Sequence, residues 1–507
     1  MNGTTDTFDD PAYLAPPSVP LRVLMVTDRN GCYSVVPRLT DDPSGTNPPE
    51  RSLHAVVDAL RHVPSWGNVT VIRAHRNSGT DWSATADLQN FRFSDESLRD
   101  IDQVWVFGIE NTMNPLSAPE IAALERFVAA GKGLLGMGDH PPLGNSLCEH
   151  APWIGSMRTY ADGNPGMVGA GRLDTRIKPV GEDPAVFDVQ ILNEHERDEL
   201  AQTIYPRLTG GTSSSFFFYN GYPHPLLCGP DGAIRVLPDH MHEGLCQVPS
   251  PLPPEFHGIE PEIIASGVNH ALGTARPMFG LICVWDGAEA NYGRVVAEST
   301  WHHFIWLNVQ GFVNATTPEG RNAWRQISAY YRNLVFWLAP AAKRALLLQR
   351  ALWWARWESR MDEELTAADP NSYLDLAYLG RIGFDVLGRR TSRCFTIDVL
   401  LILLRTVLPL EVMMLINPWK EPSGKDEVPL LDGREIYYAA IGGMLLALRD
   451  AFPSYDVKPK DVKALDKTLP KLLQSGAANG IKRFTESLRS SLSVVNDVAK
   501  LLAAGPK

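Results

Sequence analysis

Residues Gln103 to His140 read QVWVFGIENTMNPLSAPEIAALERFVAAGKGLLGMGDH, and this stretch decides the fold. Gln103-Val-Trp-Val-Phe-Gly108 is a short β-branched and aromatic run, the signature of a buried strand. Ser117 predicts a helix N-cap, and Glu120 three residues later completes a capping box. The helix runs to Ala130 and closes at Gly131. Gly133-Leu-Leu-Gly-Met-Gly138 then reads as the next strand. Strand, helix and strand joined by short turns form a βαβ unit, so the two strands should lie parallel in one sheet.

The same alternation extends outward. Upstream, Leu21-Arg-Val-Leu-Met-Val-Thr27 is an apolar run that enters the polar turn Asp28-Arg-Asn-Gly31. Ser52 to Val63 places Leu53, Val56, Val57 and Leu60 at helical spacing, and Asn68 to Ala74 returns to β-branched alternation. Downstream, Pro277 to Trp285 and Gly293 to Glu298 are two strands joined by a polar turn around Asp286 to Asn291, and they are expected to finish the sheet. The pattern predicts a mostly parallel sheet covered by helices on both faces, with ligands bound at the carboxyl ends of its strands.

Between Pro141 and Thr274 the chain is rich in Gly, Pro and Ser and too long for plain loops, which predicts an inserted lid or pocket wall. From Arg321 onward helical periodicity dominates, with breaks expected near Pro340, Pro370, Pro418 to Pro422, Pro453 and Pro470. The expected organisation is therefore a disordered leader (1–20), an α/β domain (21–315) with its insertion at about 141–274, and an all-α helical domain (316–507). The last predicted helix, Ile481 to Leu502, carries an apolar stripe through Phe484, Leu488, Leu492, Val495 and Val498. Packing against its own chain is the first expectation, and a homo-oligomer or protein partner is the alternative.

Composition narrows the function classes. The chain has 507 residues, is 44% hydrophobic and 21% charged, and carries a formal charge of −11, with no basic run that would attract a nucleic acid backbone. Its six cysteines contain no C-x-x-C pair, which removes zinc ribbons and dithiol redox motifs. Met1 to Pro20 lacks a charged and then apolar leader, so a cytoplasmic location is expected. Thr396 to Ile416 approaches membrane length, but Asp398, Arg405 and Glu411 make it a buried helix and not a span.

Two motifs carry a resemblance. The strand Gly133 to Gly138 with Asp139-His140-Pro-Pro-Leu-Gly144 after it, and the late Tyr292-Gly-Arg-Val-Val-Ala-Glu-Ser-Thr-Trp-His-His303, resemble the ThuA-like, trehalose-utilisation-type branch of the class I glutamine-amidotransferase-like superfamily. The resemblance spans Leu21 to about Phe312. It implies a flavodoxin-like α/β domain and a sugar-related role. It also implies a nucleophile elbow after the fourth strand, where the superfamily bears cysteine and this chain has Gly138. Histidines of the branch are matched by His140 and by His302 or His303. Cys148, ten residues downstream of the elbow, is not expected to act as a nucleophile.

The residues themselves suggest acid–base or metal chemistry. In Pro238-Asp-His-Met-His-Glu-Gly244, His240 and His242 project from one side of an extended chain, with Asp239 and Glu243 flanking them. Such a pair can chelate a divalent metal such as zinc if Glu243, Asp239, His140 or a histidine of the 302–303 pair converges on it. Otherwise the segment is a polar turn capped by Asp239. Trp301-His302-His303 is expected to end a strand, with its two rings on opposite faces and one in the cleft. Asp139 and His140 precede Pro141-Pro142, which stiffens their turn, and Glu110 and Asn111 follow the third strand toward the same cleft. The glycines of Gly131-Lys-Gly133 and Gly136-Met-Gly138 do not form a dinucleotide fingerprint, which needs its glycines between the first strand and its helix, and no Gly-x-Ser-x-Gly frame is present. The expected function is binding of a small polar, sugar-derived molecule, with His140, His302, His303 and Glu243 as acid–base groups of a hydrolase or isomerase. The alternative is a non-catalytic scaffold or sensor that assembles through its helical region.

Overall fold

The computed structural model describes residues 18–35, 48–63, 67–109, 114–139, 143–159, 199–209, 222–238, 243–269, 278–369, 371–390, 392–419, 433–453 and 459–503. They fall into two compact units, one built between Pro20 and Arg344 and one from Ala345 onward.

The first unit is α/β. Strands β1 (Val19–Thr27), β2 (Gly67–His75), β3 (Gln103–Phe107) and β4 (Gly133–Met137) enter a ten-stranded sheet together with the strand Arg294–Glu298. The order is β2-β1-β3-β4 and then Arg294–Glu298, the flavodoxin-like arrangement. β1 with β3, β3 with β4, and β4 with Arg294–Glu298 are all parallel pairs. Side chains alternate between the faces. Leu24, Val26, Val104, Val106, Leu134, Val295 and Ala297 share one core with Leu124, Phe127 and Val128 of the helix Ala118–Ala129. The capping box of that helix forms as the sequence predicts, with Glu120 Oε2 accepting from Ser117 N–H at 3.1 Å and from its hydroxyl at 2.9 Å.

Three expectations are corrected. Met278–Asp286 and Arg294–Glu298 do not finish the sheet, because short strands of the inserted region extend it. Met278–Asp286 pairs antiparallel with Arg294–Glu298, Leu245–Cys246 and Glu262–Val268, and the sheet goes on through Arg158–Thr159 and Tyr205–Pro206. Glu262-Ile-Ile-Ala-Ser-Gly-Val268 is apolar enough to pair, but the Gly- and Pro-rich composition around it hides it.

The domain boundary lies at Arg344/Ala345 and not at 315/316. The helix Pro318–Leu338 covers the second face of the sheet: Tyr330, Tyr331, Leu334 and Trp337 are buried, Gln103 Nε2 donates to Val335 O at 2.5 Å, and Arg294 Nη1 donates to Trp337 O at 3.2 Å.

The helical unit contains Ser359–Ala367, Tyr373–Arg390, Arg393–Leu404, Leu410–Ile416, Gly433–Ala451 and Pro459–Ala503. The 45-residue helix runs through Pro470, which was expected to break it; a proline removes a single backbone donor, and tertiary packing on both sides of it can hold the helix together. Its stripe is half packed. Leu469, Leu473, Ala477, Ile481 and Phe484 are buried, whereas Leu492, Val494, Val495 and Val498 are exposed, so packing on its own chain covers only the first part. Backbones meet closely in this unit, since a Cβ on Gly480 would lie 2.0 Å from Ala439 O. Among the described residues no helix is long and apolar enough to cross a membrane.

Candidate functional site

Three segments converge where β4 and Arg294–Glu298 end. Trp301 N–H donates to Gly138 O at 2.8 Å, and Gly244 N–H donates to Ser299 O at 3.2 Å. The buried Arg158 guanidinium ties them together, with Nε donating to Ser299 O at 3.1 Å and Nη2 donating to both Asp139 O and Ser299 O. The expected strand end at Trp301-His302-His303 is instead a 3-10 turn, because the strand stops at Glu298 and Thr300 Oγ1 caps the turn by accepting from His302 N–H at 3.1 Å. The two rings still diverge, into different surroundings.

His302 belongs with Asp139. Its Nε2 lies 3.7 Å from Asp139 Oδ2, its Nδ1 is 2.7 Å from Asn308 Oδ1, and its ring stacks on Trp301 at 3.9 Å. Thr300 Oγ1 donates to Asp139 Oδ1 at 2.9 Å, so the carboxylate is oriented from a second side. Asp139, Thr300, His302 and Asn308 are all buried. An imidazole held between an amide oxygen and a carboxylate is equipped to accept or deliver a proton.

His303 belongs with two other carboxylates. Its Nδ1 is 3.1 Å from Glu298 Oε2 and its Nε2 is 3.4 Å from Glu243 Oε1, with no part of the three side chains exposed. Burial draws the imidazole pKa down, but the charge of Glu298 and the hydrogen bond that the ring donates to Glu243 outweigh it and push the value up to about 9. Gln202 Nε2 donates to Glu243 Oε1 at 3.0 Å, and the Tyr330 hydroxyl donates to Glu298 Oε1. Tyr331 donates its hydroxyl to His303 O at 2.5 Å. Gln202 Nε2 also lies 2.8 Å from His303 Nε2, so both ring nitrogens face the interior, where His303 stands between the sheet and the helix Pro318–Leu338.

The predicted set is thus partly assembled: Asp139 meets His302, and Glu243 meets His303. Glu110, Asn111, His140, Asp239, His240 and His242 lie outside the described residues. Sequence reasoning missed Arg158, Gln202, Glu298, Thr300, Asn308 and Tyr330. Glu298 and Thr300 sit inside the quoted late motif and were within reach; Gln202 and Arg158 come from short strands of the insertion that no periodicity announces.

The turn after β4 is packed main chain on main chain. Gly108 follows β3, Gly138 follows β4, and a Cβ on Gly144 would sit 2.5 Å from Gly138 Cα and 2.8 Å from Gly108 O. Cys148 lies beneath this crossing, fully buried, its thiol donating to Met137 O at 2.8 Å. Burial pushes that thiol up to about 12, which leaves it protonated at neutral pH.

Among the described residues no group of three or more His, Cys, Asp or Glu side chains is placed to hold a metal ion. A cavity of about 280 Å³ lined by Tyr33, His54, Arg73, Trp306 and Trp324 opens elsewhere on this unit, and none of the predicted site residues lines it.

Fold and site together define a mixed α/β protein with a mostly parallel central sheet and a helical C-terminal region. No protein-family model matches the chain, and no curated protein matches it. Among solved structures it is similar to a cytoplasmic protein from Salmonella typhimurium, at 10% identity and a TM-score of 0.28, over 61% of this chain and 98% of that one.

Proposed function

We propose that this chain is a ThuA-like member of the amidotransferase-like superfamily, without that superfamily's nucleophile cysteine, that binds a small polar, sugar-derived molecule where β4 and Arg294–Glu298 end. Its chemistry is acid–base, hydrolytic or isomerising, with His302 as the proton carrier and Asp139 and Asn308 as its orienting partners. The supporting observation is the 3.7 Å approach of His302 Nε2 to Asp139 Oδ2 at the carboxyl ends of two neighbouring parallel strands. This is the edge at which open α/β sheets bind ligands. A metal-assisted form of the reaction would draw on His240 and His242.

The test is calorimetric titration and thermal shift with a panel of neutral mono- and disaccharides, on the native chain and on His302→Ala and Asp139→Asn. Saturable binding that both variants lose while keeping a cooperative melt supports the reading. Undiminished binding in His302→Ala removes it. A second reading, a scaffold that assembles through its helical region, is favoured by the exposed Leu492, Val494, Val495 and Val498. Sedimentation of the chain before and after Val495→Glu tests it.

A further inference from the structure

The same rim carries two guanidinium groups without an ion-pair partner among the described residues. Arg29 follows β1 in a left-handed conformation, φ 50°, with its amide donating to Asn77 Oδ1 at 3.2 Å. Arg51 is drawn to that loop by a bridge between Cys32 and Ser52, in which Cys32 N–H donates to Arg51 O at 3.3 Å and Leu53 N–H donates to Cys32 O at 2.9 Å. The Arg51 guanidinium lies 5.5 Å from the centre of the Trp301 ring, and Trp301 in turn stacks on His302. Burial lowers the pKa of Arg51, and the field of Arg29 lowers it further against the pull of Glu50 and Asp139. Trp301 is only 2% exposed, yet its indole N–H has no acceptor among the described residues.

Arg51 is partly withdrawn from water and lies within the field of a second cation, the exposed Arg29, and a buried donor without an acceptor among the described residues has given up its water for nothing. An oxyanion between them relieves both costs, because guanidinium groups and an N–H are the donors that carboxylates and phosphates accept from. We infer that the rim holds the oxyanion of its ligand, a carboxylate or a phosphate ester, between Arg29, Arg51 and the Trp301 indole N–H, next to Asp139 and His302. The inference rests on the reading above and narrows its ligand to an acidic sugar derivative: a sugar acid or a sugar phosphate.

Inorganic phosphate and acetate, titrated at constant ionic strength against the native chain, Arg29→Gln, Arg51→Gln and His302→Ala, separate the possibilities. Saturable binding of at least one anion is expected, weakened about tenfold or more in Arg51→Gln and in Arg29→Gln; the anion preferred distinguishes a phosphate from a carboxylate ligand. Phenylglyoxal labelling of the native chain, mapped by mass spectrometry, needs no variant. Arg51 should be protected by the bound anion. Equal labelling with and without anion, or equal affinity in Arg51→Gln, overturns the inference. Neutral sugars that bind through His302 while neither anion binds overturn it and leave the sugar-site reading standing. Anion binding through Arg51 in a chain indifferent to His302→Ala supports it and removes the acid–base assignment instead.

Discussion

His303 and Glu298 face each other at 3.1 Å with neither side chain exposed, and Glu243 closes the other side of the ring at 3.4 Å. The imidazole is held up to about 9 in the fold against an ordinary 6.5. A raised value stabilises the folded state fully below the ordinary pKa, and this contribution is lost as the pH climbs through the folded one. The melting temperature should therefore fall between about pH 7 and 9.5, by an amount reflecting on the order of 3 kcal/mol. His303→Gln should flatten that dependence and cost about 3–5 kcal/mol at neutral pH, because it leaves two buried carboxylates without their cation. Chemical denaturation of both proteins across this range is the measurement.

A second buried pair predicts the opposite pH response. Arg76 donates to Glu120, which also accepts from Phe93 N–H at 3.2 Å and from the amide and hydroxyl of Ser117. Burial raises the Glu120 pKa, but the Arg76 hydrogen bond and the Ser117 donors outweigh it and hold the carboxyl below its usual 4.5. Its stabilisation is present above that value and disappears as the pH drops through the folded one. Glu120→Gln should lower stability at pH 7 by about 3 kcal/mol and narrow the gap between the variant and the native chain in acid. Denaturant midpoints at pH 7 and pH 3.5 check both statements.

All six cysteines are buried, and burial raises the thiols of Cys148 and Cys246 above the ordinary thiol range. Thiolate is the reactive form. Native protein should give no fast reaction with a thiol-exchange reagent at pH 8 and should release six equivalents in denaturant. A single fast thiol mapped to Cys148 would reopen a nucleophilic role for it.

Gly144→Ala and Gly131→Ala form a matched pair. Both glycines have positive φ, 90° and 81°, but the new methyl at position 131 meets nothing within 4 Å while that at 144 meets two backbones. Gly131→Ala should cost about 1 kcal/mol, the backbone term alone. Gly144→Ala should cost clearly more and shift the turn that carries Asp139. Equal losses in thermal denaturation would show that the crossing is not tight.

The βαβ unit was legible because its signals are local: the alternating apolar runs of β1 to β4 and the Ser117–Glu120 capping box lie within a few residues of one another. Arg294–Glu298 was legible as a strand, but its place between β4 and Met278–Asp286 depends on pairing between distant segments. The short strands at 158–159, 205–206 and 245–246 are too brief for any periodicity. In the site, Asp139 and the two histidines stand out by residue type at strand ends, whereas the partner of each ring is a tertiary fact. Nothing in Trp301-His302-His303 alone says that one ring will find Asp139 and the other Glu298. The helix Pro318–Leu338 was assigned to the wrong unit because its amphipathic pattern is the same whether the buried face meets helices or a sheet.

The contact among Gly108, Gly138 and Gly144 is one of peptide against peptide, so no rotamer takes part in setting it. Loops mounted on such a joint can exchange their side chains freely while the joint holds its shape. The rim is in this sense a socket, in which the residues at Arg29, Arg51 or His302 can change without a new scaffold beneath them.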